Sequence, residues 1–131
     1  MEKRPFSFEK LHVWVDIRNM IKEIYTITSA FPENEKYCLV NQMRRAAISI
    51  SSNLAEGAAR TSFKDQAHFY QLSYSSLMEL LSQLIVCNDL GLISEDQYLG
   101  IKKQIDFISF KLNALRKSTL KILSYSGNSE K

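Results

Sequence analysis

Apolar side chains recur along this chain at steps of three and four residues, the period of an α-helix, in four successive stretches. The first stretch predicts a helix over about residues 7–29. Val13, Ile17, Met20, Ile24 and Ile27 form its stripe, with Leu11, Trp14 and Ile21 beside it. Ser7 is placed as its N-cap with Glu9 in the first turn, and Pro32 breaks the run. The second stretch predicts residues 34–59, with the stripe Leu39, Met43, Ala47, Ile50 and Leu54, and with Gly57 weakening the last turn.

The third stretch, residues 62–90, opens on the capping pair Ser62 and Asp65. Its stripe reads Phe63, Ala67, Tyr70, Tyr74, Leu77, Leu81 and Leu84, and Gly91 suits the position that ends a helix. The fourth, residues 94–123, opens on the capping box Ser94-Glu95-Asp96-Gln97. Tyr98, Ile101, Ile105, Ile108, Leu112, Leu115 and Ile122 form its stripe, interrupted by Thr119. Residues 124–131 read as a polar, frayed tail. Helices of about 20–28 residues are roughly 30–40 Å long. Short connections make consecutive helices antiparallel, so the pattern predicts one all-α domain over residues 1–131, an up-down-up-down four-helix bundle.

Composition agrees with that picture. At 131 residues and 15.1 kDa the chain has room for one domain. Only four Gly and two Pro leave little for the tight turns of a many-stranded sheet. Cys38 and Cys87 lie far apart, both within apolar helical patterns, and form neither a disulfide framework nor a CxxC pair. A reducing cytoplasm is the compartment this predicts. No apolar run reaches the roughly 18 residues of a membrane span, and no apolar signal region follows Met1-Glu2-Lys3-Arg4-Pro5.

Two surfaces carry more than a bundle needs. The third helix adds Phe69, Leu80 and Cys87 to its stripe, and the fourth adds Phe107, Phe110, Leu120 and Leu123. Extra apolar surface on two helices predicts burial against another copy; the alternative is a broad core face. On the second helix Gln42, Arg45, Ser49, Asn53 and Glu56 fall on one line directed away from the core. That line is read as a subunit interface, with Arg45 and Glu56 pairing across it, or equally as a solvated polar face.

Residues 42–57 carry the pattern Gln42-x-Arg44-Arg45-Ala46-Ala47-x-Ser49-Ile50-x-x-Asn53-Leu54-Ala55-Glu56-Gly57. It resembles the hallmark of the four-helix-bundle proteins encoded in intervening sequences of bacterial 23S ribosomal RNA genes, the S23 ribosomal protein family. Phe8-x-x-Leu11-x-Val13-Trp14, Phe31-Pro32-x-x-Glu35-x-Tyr37-x-Leu39 and Ser76-Leu77-x-Glu79-Leu80 extend the likeness over about residues 6–123. The family often has Pro where Ser51 stands and Gly where Ser75 stands. The resemblance implies a bundle that assembles as a ring-like homopentamer. A related group, the accessory proteins of diversity-generating retroelements, forms basic pentamers that bind nucleic acid and a reverse transcriptase.

Enzyme chemistry finds little support. Glu9-Lys10-Leu11-His12 and Asp65-Gln66-Ala67-His68 imitate the Glu-x-x-His motifs of di-iron bundles. Both imidazoles, however, sit one residue past a core position, about 100° out of the seam. No Gly-rich phosphate loop occurs, and Cys87 reads as a buried hydrophobe. No catalytic residue, metal site or cofactor is assigned.

Charge points to binding instead. The net charge is +3, yet residues 61–93 carry one base and three acids, while residues 94–131 carry seven bases and four acids. Lys102, Lys103, Lys111, Arg116, Lys117 and Lys121, with Arg44 of the second helix, are the candidate nucleic-acid contacts. In the competing class the protein is an oligomeric scaffold whose partner is a protein. Arg44 and Arg45 are then structural, joined to Glu56 or Glu79 across interfaces.

Overall fold

The computed structural model describes residues 6–129. Four helices account for most of them: α1 (His12–Thr28), α2 (Asn41–Ala59), α3 (Phe63–Asp89) and α4 (Glu95–Ser129). Among the described residues there is no β-strand.

The start differs from the single helix expected. Ser7–Lys10 form a 3-10 turn, Leu11 is extended, and α1 begins only at His12. Ser7 therefore does not cap α1; its hydroxyl donates to the carbonyl of Ala58, 3.2 Å away. Glu9 instead closes the 3-10 turn, its carboxylate accepting from the Phe6 amide at 2.6 Å. The entry to α2 is also built from two pieces, a 3-10 turn at Glu33–Glu35 and a π-helical turn at Lys36–Val40. The wider π turn lets the consecutive residues Leu39 and Val40 both reach the core.

The connections from α3 onward follow the sequence signals. Ser62 Oγ accepts from the Asp65 amide at 3.1 Å. Gly91, at φ +71°, follows α3, with Leu92 N–H donating to Cys87 O and Gly91 N–H to Asn88 O. Only a residue without Cβ adopts that backbone at little cost, and this pairing is the Schellman ending. Ser94 and Gln97 form a reciprocal capping box, at 2.9 and 3.1 Å. Past residue 123, where a frayed tail was expected, α4 continues to Ser129.

Ile17, Met20 and Ile24 of α1, Met43, Ile50 and Leu54 of α2, Leu77, Leu80 and Leu84 of α3, and Ile101, Ile105 and Ile108 of α4 are fully enclosed. The stripes expected for α1, α2 and α4 are thus core, except that Tyr98 and Leu115 are half-buried against it and Ile122 is exposed. On α3 Ala67, Tyr70, Leu77 and Leu84 are core as expected, but the line differs at two points: Ser73 and Leu80 are buried where Tyr74 and Leu81 are only half-buried, Cys87 is buried as well, and Phe63 is exposed. Leu80 and Cys87 therefore belong to the chain's own core, not to a second face. Sequence reading passed over Ser73 because it is polar. Its hydroxyl donates to the Ile50 carbonyl at 2.7 Å, which satisfies it inside the core.

Cross-helix contacts follow a consistent order. Gly57 meets Tyr70, Ser49 meets Ser76, and Met43 meets Cys87 between α2 and α3. Lys111 meets Asp16 and Gln104 meets Glu23 between α4 and α1. The most extensive contacts are α2 with α3 and α3 with α4; α1 shares fewer with α2 and α4.

Candidate functional site

The polar line of α2 divides into two sets. Gln42, Arg45 and Glu56 are exposed. Ser49 and Asn53 are half-buried, and Ser49 meets Ser76 of α3, which corrects the outward direction expected for this pair. Each precedes a core residue, Ile50 or Leu54, by one position, so each sits about 100° from that residue, at the edge of the core face. The Ser49 and Ser76 hydroxyls are 2.8 Å apart, and Asn53 Nδ2 donates to both the carbonyl and the hydroxyl of Ser49 at 3.0 Å. Glu56 has a partner within its own helix: Arg60 Nη2 lies 2.8 Å from its carboxylate, and the Arg60 guanidinium sits 4.5 Å from the Phe69 ring centroid.

Arg44 is held at the end of α1. Its Nε donates to Thr28 Oγ1 at 3.0 Å, and its Nη2 donates to the Tyr25 carbonyl and the Ser29 hydroxyl at 3.3 and 3.2 Å. The guanidinium also lies over the Tyr25 ring at 4.5 Å. A cation that satisfies the last carbonyls of a helix suits the negative end of its dipole. Arg44 and Arg45, with Tyr25, Asn41, Ile48 and Ser49, line an open pocket of about 440 Å³.

The basic residues of α4 separate in the same way. Lys111 is half-buried, its Nζ 2.6 Å from Asp16 Oδ2 and 4.3 Å from the Phe107 ring centroid, so its charge is matched within the chain. Lys102, Lys103, Lys117 and Lys121 are exposed, and Arg116 is half-buried. Lys102 lies over Tyr98, 5.5 Å from the ring centroid.

Between Lys103 and Lys117 the outer surface of α4 exposes two aromatic rings, Phe107 and Phe110, with Asp106 and Ala114 beside them. Phe107 is 54% exposed and Phe110 74% exposed, so the extra apolar face expected on this helix is open to solvent. Lys103, Gln104, Asp106, Phe107, Phe110 and Asn113 are among the residues lining a shallow groove of about 800 Å³. At its edge Gln104 Nε2 donates to Glu23 at 3.0 Å, while its buried Oε1 has no partner.

The remaining reactive groups do not converge. His12 and His68 are exposed on different helices. No group of three or more His, Cys, Asp or Glu side chains among the described residues is placed to hold a metal ion. Cys38, expected in an apolar pattern, is exposed because it sits on the outside of the π turn. Cys87 is buried against Met43, its thiol 3.4 Å from the Met43 sulfur. Burial, with the Glu35 carboxylate adding to it, pushes the Cys87 thiol up to about 11. Burial likewise raises the Tyr70 phenol.

The family described as 23S rRNA-intervening sequence protein matches residues 9–114. The chain belongs to that family. The matched span contains α1–α3 and most of α4, including the Arg44 brace and the Ser49–Ser76 contact. Among solved structures, a protein of unknown function from the S23 ribosomal protein family of Bacteroides thetaiotaomicron is similar in fold. Its TM-score is 0.75 at 19% identity, covering 80% of this chain and 95% of that one. Among curated proteins no match reaches significance. Neither match indicates a catalytic family. No described helix is long and apolar enough to cross a membrane.

Proposed function

We propose that this member of the 23S rRNA-intervening sequence family is a non-enzymatic, cytoplasmic building block of a homo-oligomer, its helices arranged up-down-up-down. The cross-helix pairs support the arrangement. As α2 numbers fall from Gly57 to Met43, their α3 partners rise from Tyr70 to Cys87. The α1–α4 pairs run in opposite directions in the same way.

The observation that carries self-association is the exposure of Phe107 and Phe110 side by side on α4. Two adjacent, largely exposed aromatic rings are costly in water and are typical anchors of interfaces. The family resemblance makes a ring of five the expected number. Light scattering coupled to size exclusion tests this, with a mass several times that of the 15.1 kDa chain as the expected result. A monomer at every concentration examined refutes it.

Nucleic-acid binding is a second reading, favoured by the Lys102, Lys103, Lys117 and Lys121 side chains exposed on α4. Five copies at +3 each would carry +15, and phosphate affinity grows with such summed charge. The contribution expected of Arg44 and Lys111 is reduced by their partners within the chain. Gel-shift titration with RNA and DNA at increasing salt tests this reading. Binding that weakens as salt rises supports it. Absence of binding at low salt leaves the protein-partnered scaffold.

A further inference from the structure

We infer that the outer stripe of α4 seats on the outer face of α3 of a second copy of this chain, in a head-to-tail contact. The inference rests on the self-association proposed above and names the surface that receives the aromatic pair.

The two faces share one spacing. On α4, Gly100, Lys103, Phe107, Phe110, Ala114, Lys117 and Lys121 follow steps of three and four, and all are exposed. On α3, Leu72, Ser75, Glu79, Ser82, Val86 and Asp89 follow the same steps, and all are exposed. Each helix thus has a second stripe opposite its core stripe, with the periodicity that packs against another helix.

Their chemistry is complementary. The α4 stripe places two large aromatic rings between Lys103 and Lys117. The α3 stripe places the small Ser82 and the apolar Val86 between Glu79 and Asp89. Large side chains on one face meet small ones on the other, and the bases bracketing the rings meet acids bracketing the receiving surface. At 1.5 Å per residue the two lysines are about 21 Å apart and the two acids about 15 Å, a difference that flexible lysine stems span. The ion pairs recorded among the described residues join Lys36–Glu33, Arg60–Glu56 and Lys111–Asp16, and involve none of these four charges.

The alternative pairing, α4 against α4 across a two-fold axis, sets Lys103, Lys117 and Lys121 of both copies together. Like charges so placed repel. Whole-helix charge runs the same way: α3 carries one base and three acids, α4 six bases and three acids. Because donor and receiver are different surfaces of one chain, every copy offers one of each. Such a heterologous contact closes into a ring when its rotation permits.

Charge reversal and aromatic removal test the inference on the full chain, with helicity checked by circular dichroism. The F107D/F110D variant is expected to weaken self-association about 30-fold or more, the loss typical of interface anchors. The K103E/K117E and E79K/D89K variants are each expected to weaken it, and the chain carrying all four reversals to regain it. An oligomer that tolerates every one of these variants overturns the inference while leaving self-association intact. Four reversals assembling no better than either pair alone also overturn it. A wild-type monomer overturns both.

Discussion

Two residues show how tightly single positions are specified. A Cβ on Gly57 would lie 2.8 Å from Tyr70 Cε1 and 3.0 Å from Phe69 Cβ. Gly57 is therefore not merely a weak helix former, as its sequence position suggested, but the point where α2 lets α3 approach. Gly57→Ala is expected to destabilise the chain: overpacking costs about 1–3 kcal/mol, of which helix propensity returns about 1. A lowered midpoint in denaturant unfolding would show it, and an unchanged or raised midpoint would contradict the close packing. The two cysteines give a second expectation. Exposed Cys38 should react with a thiol reagent in the native protein near neutral pH, while Cys87 reacts only on unfolding. The Cys87 thiol is raised on folding to about 11, so it favours the folded state below its ordinary value near 9.0. That contribution is lost as pH climbs from there toward 11, because the thiolate is favoured in the unfolded chain. Two equivalents reacting together in the native state would refute the enclosure.

At the scale of elements, periodicity and caps were informative in different degrees. Ser62, Gly91 and the Ser94–Gln97 box fixed the ends of α3 and the start of α4, because their signals are local hydrogen bonds. The α3 stripe held at Ala67, Tyr70, Leu77 and Leu84 but passed over Ser73, because a buried hydroxyl can hide in a core stripe once a carbonyl on the next helix accepts its proton, as Ile50 does for Ser73. The break at Leu11 and the π turn before α2 left no mark on the apolar period. They depend on tertiary partners such as the Ala58 carbonyl that accepts from Ser7. The candidate surfaces were legible only by residue type. Sequence identified Arg44 and Lys111 as cations, but not that Thr28, Ser29 and Asp16 would lie within hydrogen-bonding distance. Phe107 and Phe110 stood out correctly, because no single helical stripe holds them together with Ile105 and Ile108.

In the whole molecule the cohesion is uneven. Close helix contact is most extensive between α2 and α3 and between α3 and α4, while α1 approaches its neighbours over less of their length and is also tied at its edges by polar links. Arg44 ties its C-terminal end to α2, and Asp16–Lys111 and Glu23–Gln104 tie its side to α4. Proteins open in cooperative units that differ in free energy. α1 is expected to be the first such unit, with amide hydrogens in its central turns exchanging faster than those in the middle of α3. Uniform protection across both helices would refute this. Raised salt weakens Asp16–Lys111 but not the apolar seam, so it should widen the difference. The guanidinium of Arg44 then acts as a latch: Arg44→Ala is expected to speed amide exchange in α1 more than in α3, and equal changes in both helices would refute it.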